Sequence, residues 1–191
     1  MAALGILDES TDATALTMRA LAARLGVQAP SLYAHIDGID DVLDLVHELI
    51  NSSIDLSPLL EGTDLEDLRA FGRNYRDSYR RHRVAATIIS ARSLNQDHAL
   101  RVYEAIAAFL ARRGLPDNQI MPLMAMLDSV VLGSAVEPFA DGFVETARTY
   151  GRQYPTIAAG LRSTRRKTID DAGFELGLDA FLATVERLTP Q

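Results

Sequence analysis

Residues 16–36 read LTMRALAARLGVQAPSLYAHI, and the fold turns on Gly26 inside them. Two short helices that cross steeply need a small residue on the first where the second packs. Their turn needs a residue tolerant of positive φ, and apolar side chains must lock the pair. With Gly26 as the turn residue, Ala22 falls four positions earlier, where a large side chain would clash. Leu21 and Leu25 are expected to fill the inner face of the first helix, Val27 to plug the turn and Leu32 to anchor the second helix. An ordinary helical hairpin would need Gly26 but would not fix Ala22, Val27 and Leu32 together. The stretch is read as a helix-turn-helix.

Outward from this stretch, period-3.6 apolar spacing recurs and sustained alternation does not, so the chain reads as all-α. Helices are expected at about 2–9, 17–24, 29–36 and 39–52. Thr63 with Glu66 reads as a capping box opening a helix with the stripe Leu65, Leu68, Phe71, Tyr75 and Tyr79. Further helices are expected near 84–92, 96–113, 117–136 and 174–188. Gly114-Leu115-Pro116 separates two of them, and 137–170 reads as an irregular crossover with one helix. The division is a helix-turn-helix domain over 1–50, its last part a connecting helix, and a ligand-binding and dimerisation domain over 51–191.

The 191 residues are 48% hydrophobic and 24% charged, too apolar for disorder. Cysteine is absent, which excludes disulfide and thiolate chemistry and fits a reducing cytoplasm. The apolar run Ile120–Val136 is interrupted by Asp128 and reads as a buried helix rather than a membrane span. Net charge is −7, and residues 1–50 hold two basic residues, Arg19 and Arg24, against eight acids. That balance opposes nucleic-acid binding.

The quoted stretch nevertheless resembles the DNA-binding region of the tetracycline-repressor (TetR) family, down to Leu-Tyr-x-His in the second helix. AALGILDES (2–10) resembles that family's first helix and DVLDLVHELI (41–50) its fourth, with a looser echo in FELGLDAFL (174–182). The resemblance implies an α-helical homodimer on a palindromic DNA operator, released by a small apolar or amphipathic effector, with no cofactor. It makes Arg19 a reader of guanine and places Thr17 and Met18 where backbone N–H groups meet a phosphate. Gln28, Ala29, Pro30 and Ser31 become the leading end of the recognition helix, and Tyr33 and His35 a phosphate-contacting pair. From the residues alone, a packed Tyr33 and a solvated His35 stay open.

The departures are as informative. Ile39 stands where the family commonly has a phosphate-gripping lysine, and Asp37-Gly38 replaces a polar, often basic, pair. The family's basic arm is missing because Met1 falls inside the first helix, so either DNA binding is weak or the natural chain starts upstream. The alternative reading is a dimeric small-molecule or protein-binding module with a decayed DNA reader. Asp40, Asp44 and His47 share a helical face and read as solvated acid rather than a metal patch. No phosphate loop, nucleophile elbow or zinc motif points to an enzyme.

In the C-terminal part, Phe71, Tyr75, Tyr79, Met121, Met124 and Leu127 are candidates for a ligand pocket, methionine being adaptable. The helices near 117–136 and 174–188 are apolar on more than one face, which one subunit does not need. Leu123, Val130 and Val131, with Leu178, Phe181, Leu182 and Val185, are therefore candidates for a four-helix dimer interface.

Overall fold

The computed structural model describes residues 1–90, 92, 96–136 and 138–190. Among these there is no strand. Twelve helices follow in order: α1 (Ala2–Asp8), α2 (Met18–Leu25), α3 (Ala29–Leu32), α4 (Ile39–Ser52), α5 (Ser57–Glu61), α6 (Leu65–Arg80), α7 (Arg83–Ile89), α8 (Asp97–Arg112), α9 (Asp117–Val136), α10 (Ala147–Tyr150), α11 (Pro155–Ser163) and α12 (Ile169–Leu188). The expected bounds of α4 and α9 are met to the residue.

α2 begins at Thr17, whose hydroxyl accepts the Ala20 N–H at 3.0 Å, satisfying one orphan donor of the first turn. It ends at Gly26, held at φ 69°. There the N–H groups of Gly26 and Val27 donate to the carbonyls of Ala23 and Ala22 at 3.2 and 3.0 Å. A Cβ would strain that left-handed turn. Leu21 and Ala22 are buried as expected, but Leu25 and Val27 are 50% and 43% exposed and neither fills a core nor plugs the turn. The reason lies in α3, a single turn where a helix over 29–36 was expected. It offers too little surface to cover both. Residues 33–36 continue as hydrogen-bonded turns, with His35 and Ile36 N–H groups on the Leu32 carbonyl at 2.9 and 3.1 Å.

The capping box of α6 sits one residue later than the sequence suggested. Asp64 Oδ1 accepts the N–H groups of Glu66 and Asp67 at 2.9 and 3.1 Å. In return Asp67 Oδ2 accepts those of Thr63 and Asp64 at 2.8 and 3.0 Å. A carboxylate caps better here because one group meets two donors and the positive helix end. Past that cap, Leu68, Phe71, Tyr75 and Tyr79 are buried on one stripe.

The body is built around α9, which packs between α6, α8 and α12. Gly114, at φ 81°, turns the chain from α8 into α9. By length and composition α9 is apolar enough to cross a membrane, yet it contributes Leu123, Met124, Leu127, Val131 and Ala135 to the core. α12 starts at Ile169, five residues earlier than expected. Asp170 and Asp171 occupy its first turn, where acids favour a helix start. Asp171 also takes Arg76 and Arg80, each at 2.8 Å. The crossover carries two short helices, α10 and α11, instead of one; Glu137 lies outside the described residues.

The interface candidates need correction. Leu123, Val131, Leu178, Phe181, Leu182 and Val185 are all buried inside a single subunit, so they are spent on packing α9 and α12 against α6. Only Val130 is partly open, and it touches the α12 backbone: a Cβ at Gly177 would stand 3.0 Å from Val130 Cγ1. The outward face of α12 instead shows small and apolar residues, Ala172, Leu176, Ala180 and Ala183, which recur at helical spacing.

Candidate DNA-reading end and effector cavity

At the helix-turn-helix, Thr17, Arg19, Gln28, Pro30, Ser31, Tyr33 and His35 are all exposed. Tyr33, at 56% exposure, does not pack against the first helix. Ala29 is half-buried. Met18 offers only its backbone, because its side chain packs against the core. The two basic residues here differ. Arg24 is held by both oxygens of Glu9, at 2.7 and 2.5 Å, whereas Arg19 meets no acid among the described residues.

The acids that opposed DNA binding are mostly engaged elsewhere. Asp8 meets His82 Nδ1 at 2.9 Å, and Asp12 caps a turn by accepting the Thr14 N–H. Asp40, Asp44 and Glu48 recur at i, i+4 and i+8 along α4. Asp40 and Asp44 accept Arg92 at 2.8 and 2.9 Å, Asp44 also accepts Gln96 at 3.2 Å, and Glu48 takes the His98 ring at 2.5 Å. This face, whose Asp40 side chain stays 80% exposed as a solvated acid would, also forms a seam of ion pairs between α4 and residues leading into α8. His47 borders the same face of α4 but is buried. Asp97 lies close enough to Glu48 and His98 for a shared ion, but it is already bound by Arg101 at 2.7 Å. Asp41 accepts the Asp37 N–H at 2.7 Å, leaving the Asp37 carboxylate as the acid nearest the recognition turn with no cation beside it among the described residues.

In the body, a cavity of about 930 Å³ opens between α5, α8 and α9. Leu56, Leu60, Leu100, Tyr103, Met121 and Met124 are the large apolar and aromatic residues of its wall. Met121 stands at the rim, 68% exposed. Of the sequence candidates, Met121 and Met124 lie on this wall, while Phe71, Tyr75, Tyr79 and Leu127 do not. Those four are buried in the core, because the aromatic stripe of α6 and Leu127 of α9 are used up where these helices pack together. Sequence reading passed over Asp128, which is on the wall. The only signal was a lone acid inside the apolar run Ile120–Val136.

Asp128 Oδ1 accepts two phenol hydroxyls, Tyr75 at 2.7 Å and Tyr103 at 3.0 Å. Burial, reinforced by the Asp128 charge, pushes both phenols well up, so both stay protonated donors. Tyr75 stands one hydrogen bond behind the cavity and meets Tyr79 edge-on with ring centroids 5.4 Å apart. Tyr79 Oη in turn lies 3.1 Å from Asn51 Oδ1 and 3.3 Å from His47 Nε2 on α4. Packed side chains thus run from the cavity to the helix that joins the helix-turn-helix.

One tautomer satisfies this cluster. His47 Nε2–H donates to Tyr79, Tyr79 donates to Asn51, and the Asn51 amide donates to the His47 carbonyl at 3.0 Å. The orphan is then His47 Nδ1, an acceptor rather than a proton. Burial is the main cause holding the His47 pKa below 6.5; Arg92 adds to it, and Asp44 and Glu48 oppose it. Below about pH 6.5 the unfolded imidazole binds a proton that the folded one refuses. Stability is therefore full above that pH and falls as acid is added towards the folded pKa. Thermal melts between pH 7.5 and 5.5 are expected to show this loss, and His47→Gln to flatten it. Parallel curves for the two proteins would show that His47 does not titrate on unfolding.

The family described as "Tetracyclin repressor-like, C-terminal domain" matches residues 58–189. An HTH-type transcriptional regulator of Saccharopolyspora erythraea is 35% identical over 120 residues, 62% of this chain and 50% of that protein. The chain spans about half the length of the curated relatives it matches. Among solved structures, the Streptomyces coelicolor TetR family protein ActR, in complex with (S)-DNPA, is similar with a TM-score of 0.74 at 26% identity. It covers 99% of this chain and 95% of that one. TetR from Acinetobacter baumannii AYE is similar to the same TM-score and identity, covering 100% and 95%. The family match takes in more than half of the residues, from α5 to the end of α12, and the chain belongs to the tetracycline-repressor-like (TetR) family.

Proposed function

We propose that this protein is a ligand-released transcriptional repressor that grips a palindromic operator as a homodimer. Residues 1–50 read the DNA and residues 51–191 hold the effector and the partner subunit. The observation that carries the reading is the run of packed groups from Asp128 through Tyr75 and Tyr79 to His47 and Asn51, which ties the cavity wall to α4. A molecule that moves the wall also loads the helix bearing the DNA-reading end. ActR, similar in fold and seen in complex with (S)-DNPA, supports a small molecule as the effector.

Arg19 enters the major groove with the leading end of α3, where Gln28 and Ser31 face base edges and Tyr33 and His35 meet phosphate. The outward faces of α9 and α12 pair two subunits as a four-helix bundle, setting the recognition helices roughly 34–36 Å apart. Effector binding favours a dimer of different spacing, which requires tighter binding to that state.

The test is DNA binding to the region upstream of the gene, titrated with salt, on this chain and on a form extended by a basic N-terminal arm. Sequence-specific binding by either form is expected, with a steeper salt dependence in the extended one. Absence of specific binding in both would leave a dimeric ligand-binding module with a decayed reader.

A further inference from the structure

We propose that the cavity between α5, α8 and α9 takes an amphipathic cation, with the Asp128 carboxylate as its counter-ion. This deepens the repressor reading and rests on it for the link to DNA release.

The wall is apolar apart from a few charges, and those charges have one sign once paired. Asp97 and Arg101 neutralise each other, leaving Glu104 and Asp128 on the wall with no cation among the described residues. Asp128 is placed as a receptor group would be. Its Oδ1 is held by two phenol donors, from α6 and α8, which fix the side chain against rotation. The hydrogen bonds of its carboxylate to the described residues are both made by Oδ1, and the residue belongs to the cavity wall. A fixed carboxylate oxygen in an apolar cavity binds a positively charged donor far more strongly than the same oxygen would in water. An anion there meets two uncompensated acids, and a purely apolar molecule leaves Oδ2 dehydrated and unpaired, which is costly. The volume, about 930 Å³, is at the upper end for drug-sized ligands. The aliphatic and methionine wall suits a flat or hydrophobic body of variable shape. The occupant these features select is a molecule with a multi-ring or long apolar body and one amine or delocalised cation.

Two dyes with the same xanthene body separate charge from shape: rhodamine 6G, a cation, and fluorescein, an anion. Fluorescence anisotropy on the full chain is expected to show rhodamine 6G binding at least about 10-fold more tightly. Asp128→Asn keeps an acceptor for both tyrosines and removes the charge. It is expected to weaken rhodamine 6G about 10–100-fold, leave fluorescein unchanged or tighter, and preserve the melting temperature. Should that variant fail to fold, exposed Glu104→Lys serves in its place, and it is expected to shift the dye preference towards fluorescein. Glu186→Gln, the same charge change as Asp128→Asn but on the outer surface of α12, is expected to do neither. Equal affinities for the two dyes, no binding of the cation, or a preference that survives both substitutions overturns the proposal. A cation that binds through Asp128 without releasing operator DNA keeps the ligand class and defeats the release reading. Operator binding by a protein indifferent to the cation does the reverse.

Discussion

Ala180→Arg is expected to yield a folded monomer and to weaken operator binding by at least about 100-fold. Ala180 lies mid-way along the outward stripe of α12, between Leu176 and Ala183, and is exposed. In a single subunit the new guanidinium simply points into water and costs little. In a bundle of two α9–α12 pairs, small residues let the helices approach to 8–10 Å. An arginine at the crossing is then both too large and unpaired. Loss of the partner removes one of two half-sites, so the effect on DNA is large although the substitution lies in the body, far along the chain from Arg19. Phe181→Glu, one residue away, makes the opposite point. Phe181 is completely buried among the α6, α9 and α12 side chains, and an isolated carboxylate there is expected to unfold the chain rather than split a dimer. Sedimentation velocity with circular dichroism distinguishes the two outcomes. A helical Ala180→Arg protein that still sediments as a dimer would place the interface on another face.

That contrast also shows where sequence reading stops. Elements were legible wherever the chain carries its own punctuation. Gly26 marks the turn, and Gly114-Leu115-Pro116 marks a helix break. The bounds of α4 and α9 follow from their flanks and periodicity. Roles were not legible where apolar residues surround a helix on all sides. Periodicity says that α9 and α12 are buried on more than one face. It does not say which face meets α6, which a cavity and which a second subunit, because Leu, Val, Phe and Met satisfy all three. Apart from Leu176, the large side chains of α12 went to the internal core, leaving mostly alanine, which carries little hydrophobic signal, on the outward face. Asp128 was legible only as an interruption, since its meaning depends on Tyr75 and Tyr103, 53 and 25 residues away. The partners of the α4 acids were not legible for the same reason, because Arg92 and His98 lie about fifty residues downstream.

Their pairing reframes the charge problem at the DNA-reading end, where Arg19→Ala is expected to cut sequence discrimination sharply. Counting charges over residues 1–50 suggests a surface hostile to DNA. In the structure Glu9, Asp40 and Asp44 each meet an arginine, Asp8 and Glu48 each meet a histidine ring, and Asp12 and Asp41 are engaged by backbone N–H groups. What faces outward around α2 and α3 is Arg19, with neutral Gln28, Ser31 and Tyr33, and the carboxylate of Asp37. Arg19 is then the one cation of this segment without an acid beside it among the described residues. Its guanidinium can take O6 and N7 of a guanine together, a contact that discriminates by about 1–3 kcal/mol. Removing it is expected to weaken the operator about 5–150-fold while non-specific DNA loses only one charge's share of affinity. Asp37→Asn is expected to strengthen both DNAs alike, since it relieves repulsion of phosphate without touching a base. Anisotropy titrations of the two variants on operator and scrambled duplexes, at matched salt, separate these effects. If Arg19→Ala weakens both duplexes equally, Arg19 grips phosphate, and the bases are read by Gln28 and Ser31 alone.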